Sequence, residues 1–174
     1  MKLEKQQQIF SCMADVLNQN GFRAEVMQQE GAPLLLRCEA QRQGKVAKDV
    51  TVECCFIPIG LPSEDTGLLQ FFVTLFQNAP ETYAKQLRAA CDYCNDFCAL
   101  GHLGLFADAG QLYLKHNTLI DGSLELEKNI TFVADNISVL LAAVSRFIDG
   151  LAQIAYAGMT LDAVIDQDLF PKIG

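Results

Sequence analysis

Cys91, Cys94 and Cys98 form a C-x-x-C-x-x-x-C run. Zinc and iron–sulfur sites use spacing of this kind to bring thiolates onto one centre. If the run is helical, a rise of about 1.5 Å per residue sets positions 91 and 98 about 10.5 Å apart along the axis, whereas sulfurs sharing a metal each lie about 2.3 Å from it. Leu87, Cys91, Cys94 and Cys98 would then share one helical face. The expectation is packing, since free cysteine is small and among the most buried residue types. Cys91 and Cys94 can still supply half of a site completed from elsewhere. Cys54 and Cys55 are adjacent, so in a strand Cys54 joins the core set and Cys55 points the other way. Cys12 and Cys38 fall in apolar-periodic positions.

A thiol enzyme needs a base and a group to orient it, and the candidates for the base are His102 and His116. With Asp108-Ala109-Gly110 as a three-residue hairpin loop, Ala107 pairs with Gln111 and His102 falls opposite His116, on the face of Phe106, Leu112 and Leu114. Two cross-strand imidazoles can take a transition metal or titrate as a pair. No Asp, Glu or Cys joins them on that face of the hairpin. Asp92 and Asp96 stand at i, i+4, a spacing that reads as a solvated helix face rather than an acid/base pair. Dinucleotide-binding, P-loop, H-E-x-x-H, G-x-S-x-G and EF-hand motifs are absent from the sequence. No catalytic residue, metal ligand or cofactor is therefore assigned. A metal- or thiol-dependent enzyme or sensor using Cys91/Cys94 or His102/His116 is the alternative reading.

The elements that must position these residues follow from periodicity. Leu3, Phe10, Met13 and Leu17, with Ile9 and Val16, recur at helical spacing before Asn20-Gly21. Three period-2 runs come next: Phe22, Ala24 and Val26; Leu34, Leu36, Cys38 and Ala40; and Val46 to Ile59, with Val50, Val52, Cys54 and Phe56 on one face. Short Gly-containing turns separate them, the pattern of an antiparallel meander. Leu68–Phe76 is a fourth strand, apolar on both faces: Leu69, Phe71, Val73 and Leu75 on one, Leu68, Phe72 and Phe76 on the other. Pro80 opens a helix running to about Ala99, Leu103–Ala107 and Gln111–Asn117 make a hairpin, and a long helix with Asp149 on its polar face closes the chain. The order α-β-β-β-β-α-β-β-α predicts an α+β fold with an antiparallel sheet.

The chain has 174 residues, 51% apolar and 20% charged, which suits one domain over 1–174 and excludes intrinsic disorder. Its net charge of −8 argues against a nucleic-acid partner. The acidity gathers toward the C-terminus: residues 1–60 carry 7 basic and 7 acidic side chains, residues 121–174 carry 3 and 8. Residues 1–20 lack the apolar core of a signal peptide. The longest uncharged apolar stretches have 10 and 12 residues against the roughly 20 of a membrane span, so no membrane partner is expected. Seven cysteines, an odd number, suit a reducing cytoplasm.

The element order, with the stretch YCNDFCALGHLGLFADAGQLYL from Tyr93 to Leu114, resembles the YbjN family and the type III secretion chaperone-like fold to which it belongs. In that stretch a helix ends at Asn95, Gly101 and Gly104 bear a turn, and Asp108–Gly110 joins two short strands. The resemblance implies a regulator or interaction module without catalysis, or a small acidic cytoplasmic chaperone, dimeric, that holds a segment of a protein partner. The residues point the same way. A sheet with helices on one side leaves one face of the fourth strand uncovered, and exposed apolar patches mark interaction sites. Ile57, Leu68, Phe72 and Phe76 are the expected interaction residues, for a protein partner, a homodimer, or both.

Overall fold

The period-2 runs become strands because their alternate residues all find the same apolar layer. In the computed structural model, which describes residues 1–172, six strands form one antiparallel sheet: β1 (Arg23–Met27), β2 (Leu35–Gln43), β3 (Lys48–Ile57), β4 (Thr66–Phe76), β5 (His102–Phe106) and β6 (Gln111–Asp121), in the order β1-β2-β3-β4-β6-β5. The helices are α1 (Leu3–Gln19), α2 (Ala84–Asn95), α3 (Leu126–Ala157) and α4 (Leu161–Asp166). The fold is α+β with an open antiparallel sheet.

Leu36, Cys38 and Ala40 of β2, Val50, Val52, Cys54 and Phe56 of β3, Leu69, Phe71 and Val73 of β4, and Leu112 and Leu114 of β6 are all buried on one face. Against them α1 lays Phe10, Met13 and Leu17, α2 lays Leu87, Cys91 and Cys94, and α3 lays a stripe from Val133 through Ile137, Leu140, Val144 and Phe147 to Ile154. α1 covers β1 and β2, α2 covers β5, and α3 crosses β2, β4 and β6. Among the described residues α3 is the one helix long and apolar enough to cross a membrane; here its stripe is the spine of the core.

The Gly44–Ala47 turn of the β2–β3 hairpin is pinned to α3 by one carboxylate. Asp149 accepts from the backbone N–H groups of Lys45 (3.0 Å) and Val46 (2.8 Å). By helical periodicity Asp149 is one more solvated residue of a polar face; its bonds to the turn span about a hundred residues of chain and leave no local signature.

Four expectations are corrected. α2 ends at Asn95, not near Ala99, and Cys98 lies beyond it. The Phe97 and Cys98 N–H groups bond back three residues, to Cys94 (3.0 Å) and Asn95 (3.3 Å), which tightens the last turn and takes Cys98 off the helical face of Cys91 and Cys94. The hairpin loop has four residues, not three: Phe106 pairs with Gln111, so His102 lies opposite Lys115 rather than His116. A short 3₁₀ turn over Ala107–Ala109 supplies the extra residue. Gly110 closes it at φ 57°, where an added Cβ would also meet the Ala79 backbone at 2.5 Å. Phe76 does not continue the outward face of β4. The β4–β6 ladder shifts register between Thr74 and Phe76, and Phe76 turns to the helix side, buried and edge-on to Tyr156 at 5.4 Å. Finally, α4 follows α3 as a separate helix. Gly158 ends α3 at φ 67°, and the Thr160 hydroxyl accepts from the Ala163 N–H at 3.2 Å. That Gly-then-Thr pair was the signal for it.

Candidate functional site: the uncovered face of the sheet

With every helix on one side, the other face of the sheet has only itself to lean on. Its residues fall in rows set by the cross-strand register. Ile57, Leu68 and Leu119 make an apolar row across β3, β4 and β6. The next row runs Met27, Leu35, Cys55, Gln70 and Asn117. A third runs Glu25, Arg37, Glu53, Phe72, Lys115 and His102, and a fourth Arg23, Glu39, Thr51, Thr74, Tyr113 and Gly104.

Phe72, Tyr113 and Phe106 form an aromatic cluster on this face. Tyr113 lies 4.9 Å from Phe72 and 4.5 Å from Phe106 between ring centroids, and Phe72 lies 6.4 Å from Phe106. Gly104 makes room for it: the Tyr113 ring sits where a Cβ on residue 104 would be, 2.5 Å away. Phe106 is 49% exposed and Leu119 57%. At the end of the sheet beside this row, a groove of about 480 Å³ opens between Met1, Leu3 and Gln6 at the start of α1 and Ile57, Ile59 and Leu68, at the margin between the open face and the helix side. Large, partly exposed apolar side chains gathered on one face are the mark of a contact surface.

The charges of the third and fourth rows are balanced, while Asp121 lies on the same face beyond the apolar row. The third and fourth rows carry Arg23, Arg37 and Lys115 against Glu25, Glu39 and Glu53. Arg37 pairs with Glu53 and Arg23 with Glu39, each at 3.7 Å. Exposed pairs of this kind contribute at most about 1 kcal/mol; what they achieve is neutrality over one patch of an acidic chain.

One residue on each edge of the sheet is engaged by the same device. Asn18, near the end of α1, donates to the Ala24 carbonyl and accepts from the Ala24 N–H, both at 2.9 Å. Asn95, the last residue of α2, donates to the Leu103 carbonyl (3.1 Å) and accepts from the Leu103 N–H (2.7 Å). Each carboxamide acts as one residue of a further strand and occupies one outward N–H and C=O pair of its edge strand, groups of the kind that template strand addition.

Of the four residues expected to bind, Ile57, Leu68 and Phe72 share this face and Phe76 does not. Tyr113, Phe106 and Leu119 belong to it and were missed. The misplaced hairpin register moved Phe106 to the wrong face; Leu119 lies beyond the strand end read at Asn117. The outward row of alternate residues in β6 was the available signal.

The groups that looked chemical are dispersed. His102 is exposed on the open face; His116 is on the helix side, stacked on Phe71 at 6.1 Å between centroids. Burial holds the His116 imidazole below its usual range, against an opposing hydrogen bond with Asn136. Burial pushes the thiols of Cys38 and Cys91 up to about 12 and raises those of Cys54, Cys94, Cys55 and Cys98. A nucleophilic cysteine needs the opposite shift. Asp92 is exposed on α2 and Asp96 lies just past its end. Among the described residues no group of three or more His, Cys, Asp or Glu is placed to hold a metal ion.

No protein-family model matches this sequence, and no curated protein is significantly similar to it.

Proposed function

We propose that the chain is a non-catalytic protein-interaction module of the cytoplasm, YbjN-like or secretion-chaperone-like, that binds a protein partner through the uncovered face of its sheet. One observation carries this reading: Ile57, Leu68, Leu119, Phe72, Tyr113 and Phe106 lie together on a face that no element of the chain covers. The neutral charge rows support it, since they favour close approach across the face. The element order of the chain supports the resemblance to the secretion-chaperone-like layout.

The test is Phe72→Asp. A carboxylate at the centre of the aromatic cluster must be desolvated by any partner that docks there. Co-precipitation of protein partners and the mass from light scattering are expected to drop to those of the isolated chain, with the far-ultraviolet circular dichroism of the wild type. Unchanged capture and unchanged mass would remove this reading.

A further inference from the structure

The face that the interaction reading uses has an internal symmetry, and on that basis we infer that its occupant is a second copy of the chain, docked face to face about a two-fold axis running along β4. The inference rests on the proposed interaction function and names its partner.

Charge comes first. Two copies of a chain with net charge −8 repel. The third and fourth rows, with three cations and three carboxylates, are where two copies meet without that repulsion.

Pairing comes second. A two-fold axis along β4 lays β3 of one copy over β6 of the other. In the third row Glu53 then meets the partner's Lys115, and Lys115 meets the partner's Glu53, on either side of a Phe72–Phe72 contact. Arg37, held by Glu53, meets the partner's His102. In the first row Ile57 meets the partner's Leu119 and Leu68 meets its own copy, so apolar covers apolar. In the fourth row Thr51 lies against the partner's Tyr113. Lys115 makes no ion pair within the described residues, which leaves its ammonium for this contact. An axis across the strands does worse. Through Phe72 it opposes Glu53 with Glu53 and Lys115 with Lys115. Moved toward Gln70 it sets those charges against uncharged Cys55 and Asn117. Moved toward Thr74 it carries Ile57, Leu68 and Leu119 beyond the partner's sheet.

Size comes third. About this axis β1 extends beyond the partner's sheet and five strands overlap; at about 4.8 Å apart, over about eight residues of length, they give a planar footprint of about 500 Å² per protomer before side-chain relief is counted. A stable interface of standard size covers about 800 Å² of accessible surface per partner. The patch is on that scale, and two sheets packed this way would form a sandwich with their helices outward.

The experiment is charge exchange read by multi-angle light scattering. The wild type is expected at twice the 19.1 kDa chain mass. Glu53→Lys and Lys115→Glu are each expected at the single-chain mass, because each sets like charge against like. Mixing the two single variants is expected to restore the doubled mass. At one contact the lysine introduced at position 53 meets the glutamate introduced at position 115, and at the other the native Lys115–Glu53 pair forms. The double variant Glu53→Lys/Lys115→Glu restores it as well. A fold damaged by either substitution cannot regain mass on mixing, so the restoration is specific to the pairing. A wild type that stays at the single-chain mass, single variants that remain dimeric, or a mixture that remains monomeric would overturn the inference. A monomeric wild type whose capture of a different protein is abolished by Phe72→Asp overturns the second-copy assignment alone; if Phe72→Asp leaves all association intact, the interaction reading falls with it.

Discussion

Phe71 and Phe72 are consecutive residues of one strand with opposite environments. Phe71 is fully buried under the helices, while Phe72 stands half-exposed among Tyr113 and Phe106. Cys54 and Cys55 repeat the contrast one strand away. The helix-covered face holds the main core. The other contributes less to the fold and is the surface proposed for binding. A strand that is apolar on both faces is therefore not simply a central core strand; its second apolar row has to be assigned to an element of the chain or to something outside it.

The contrast breaks most visibly at Phe71. Phe71→Ala deletes a fully buried aromatic ring and is expected to cost about 3–5 kcal/mol, whereas Phe72→Ala costs about 1 kcal/mol through its lost aromatic contacts. Denaturant melts of the two variants check this, and equal losses would mean that the open face is part of the folding core. Asp149→Ala is expected to cost about 1–2 kcal/mol, since it leaves two turn N–H groups without their carboxylate. The same melts read it, with hydrogen exchange of Lys45 and Val46 accelerated. Asn95→Ala and Asn18→Ala are expected to cost about 1 kcal/mol each and to speed exchange at the Leu103 and Ala24 amides.

The thiols sharpen the contrast through pH. Cys38 and Cys91 ionise near 12 in the fold and near the ordinary 9.0 when unfolded, so between those values the folded chain binds more protons than the unfolded one. Stability is expected to be unaffected by these groups below about pH 9 and to fall as pH rises above it. At a pH where both are slow, Cys55 is expected to react with a thiol reagent before Cys54, which should wait for unfolding. The smallest effect is at Gly104. Gly104→Ala displaces the Tyr113 ring and is expected to weaken association several-fold with little change in melting temperature.

The alternation of β2, β3 and β4 made the sheet and its two faces legible in the sequence, down to the separation of Phe71 from Phe72. Strand period is a local property, and these strands obey it. What was not legible depended on single residues or on distant ones. One extra residue in the turn at Ala107–Gly110 moved His102 and His116 to opposite faces, because a shift of one position inverts every side chain of a strand. The register shift after Thr74 did the same to Phe76. Asn95 and Asp149 act through bonds to Leu103 and to the Lys45–Val46 turn, and nothing in a polar residue on a helix announces which backbone it will meet. The cysteine run, read as packing from its helical spacing, does place Cys91 and Cys94 in the core; Cys98 leaves that face because the helix ends at Asn95.

The most direct measurement places a photoreactive amino acid on each side of the molecule in turn: at Leu119, exposed on the open face, and at Ser138, exposed on α3. Irradiation in cells is expected to give covalent protein adducts from position 119 and none from position 138. Adducts from position 138, with position 119 silent, would contradict the assignment of the open face as the binding surface.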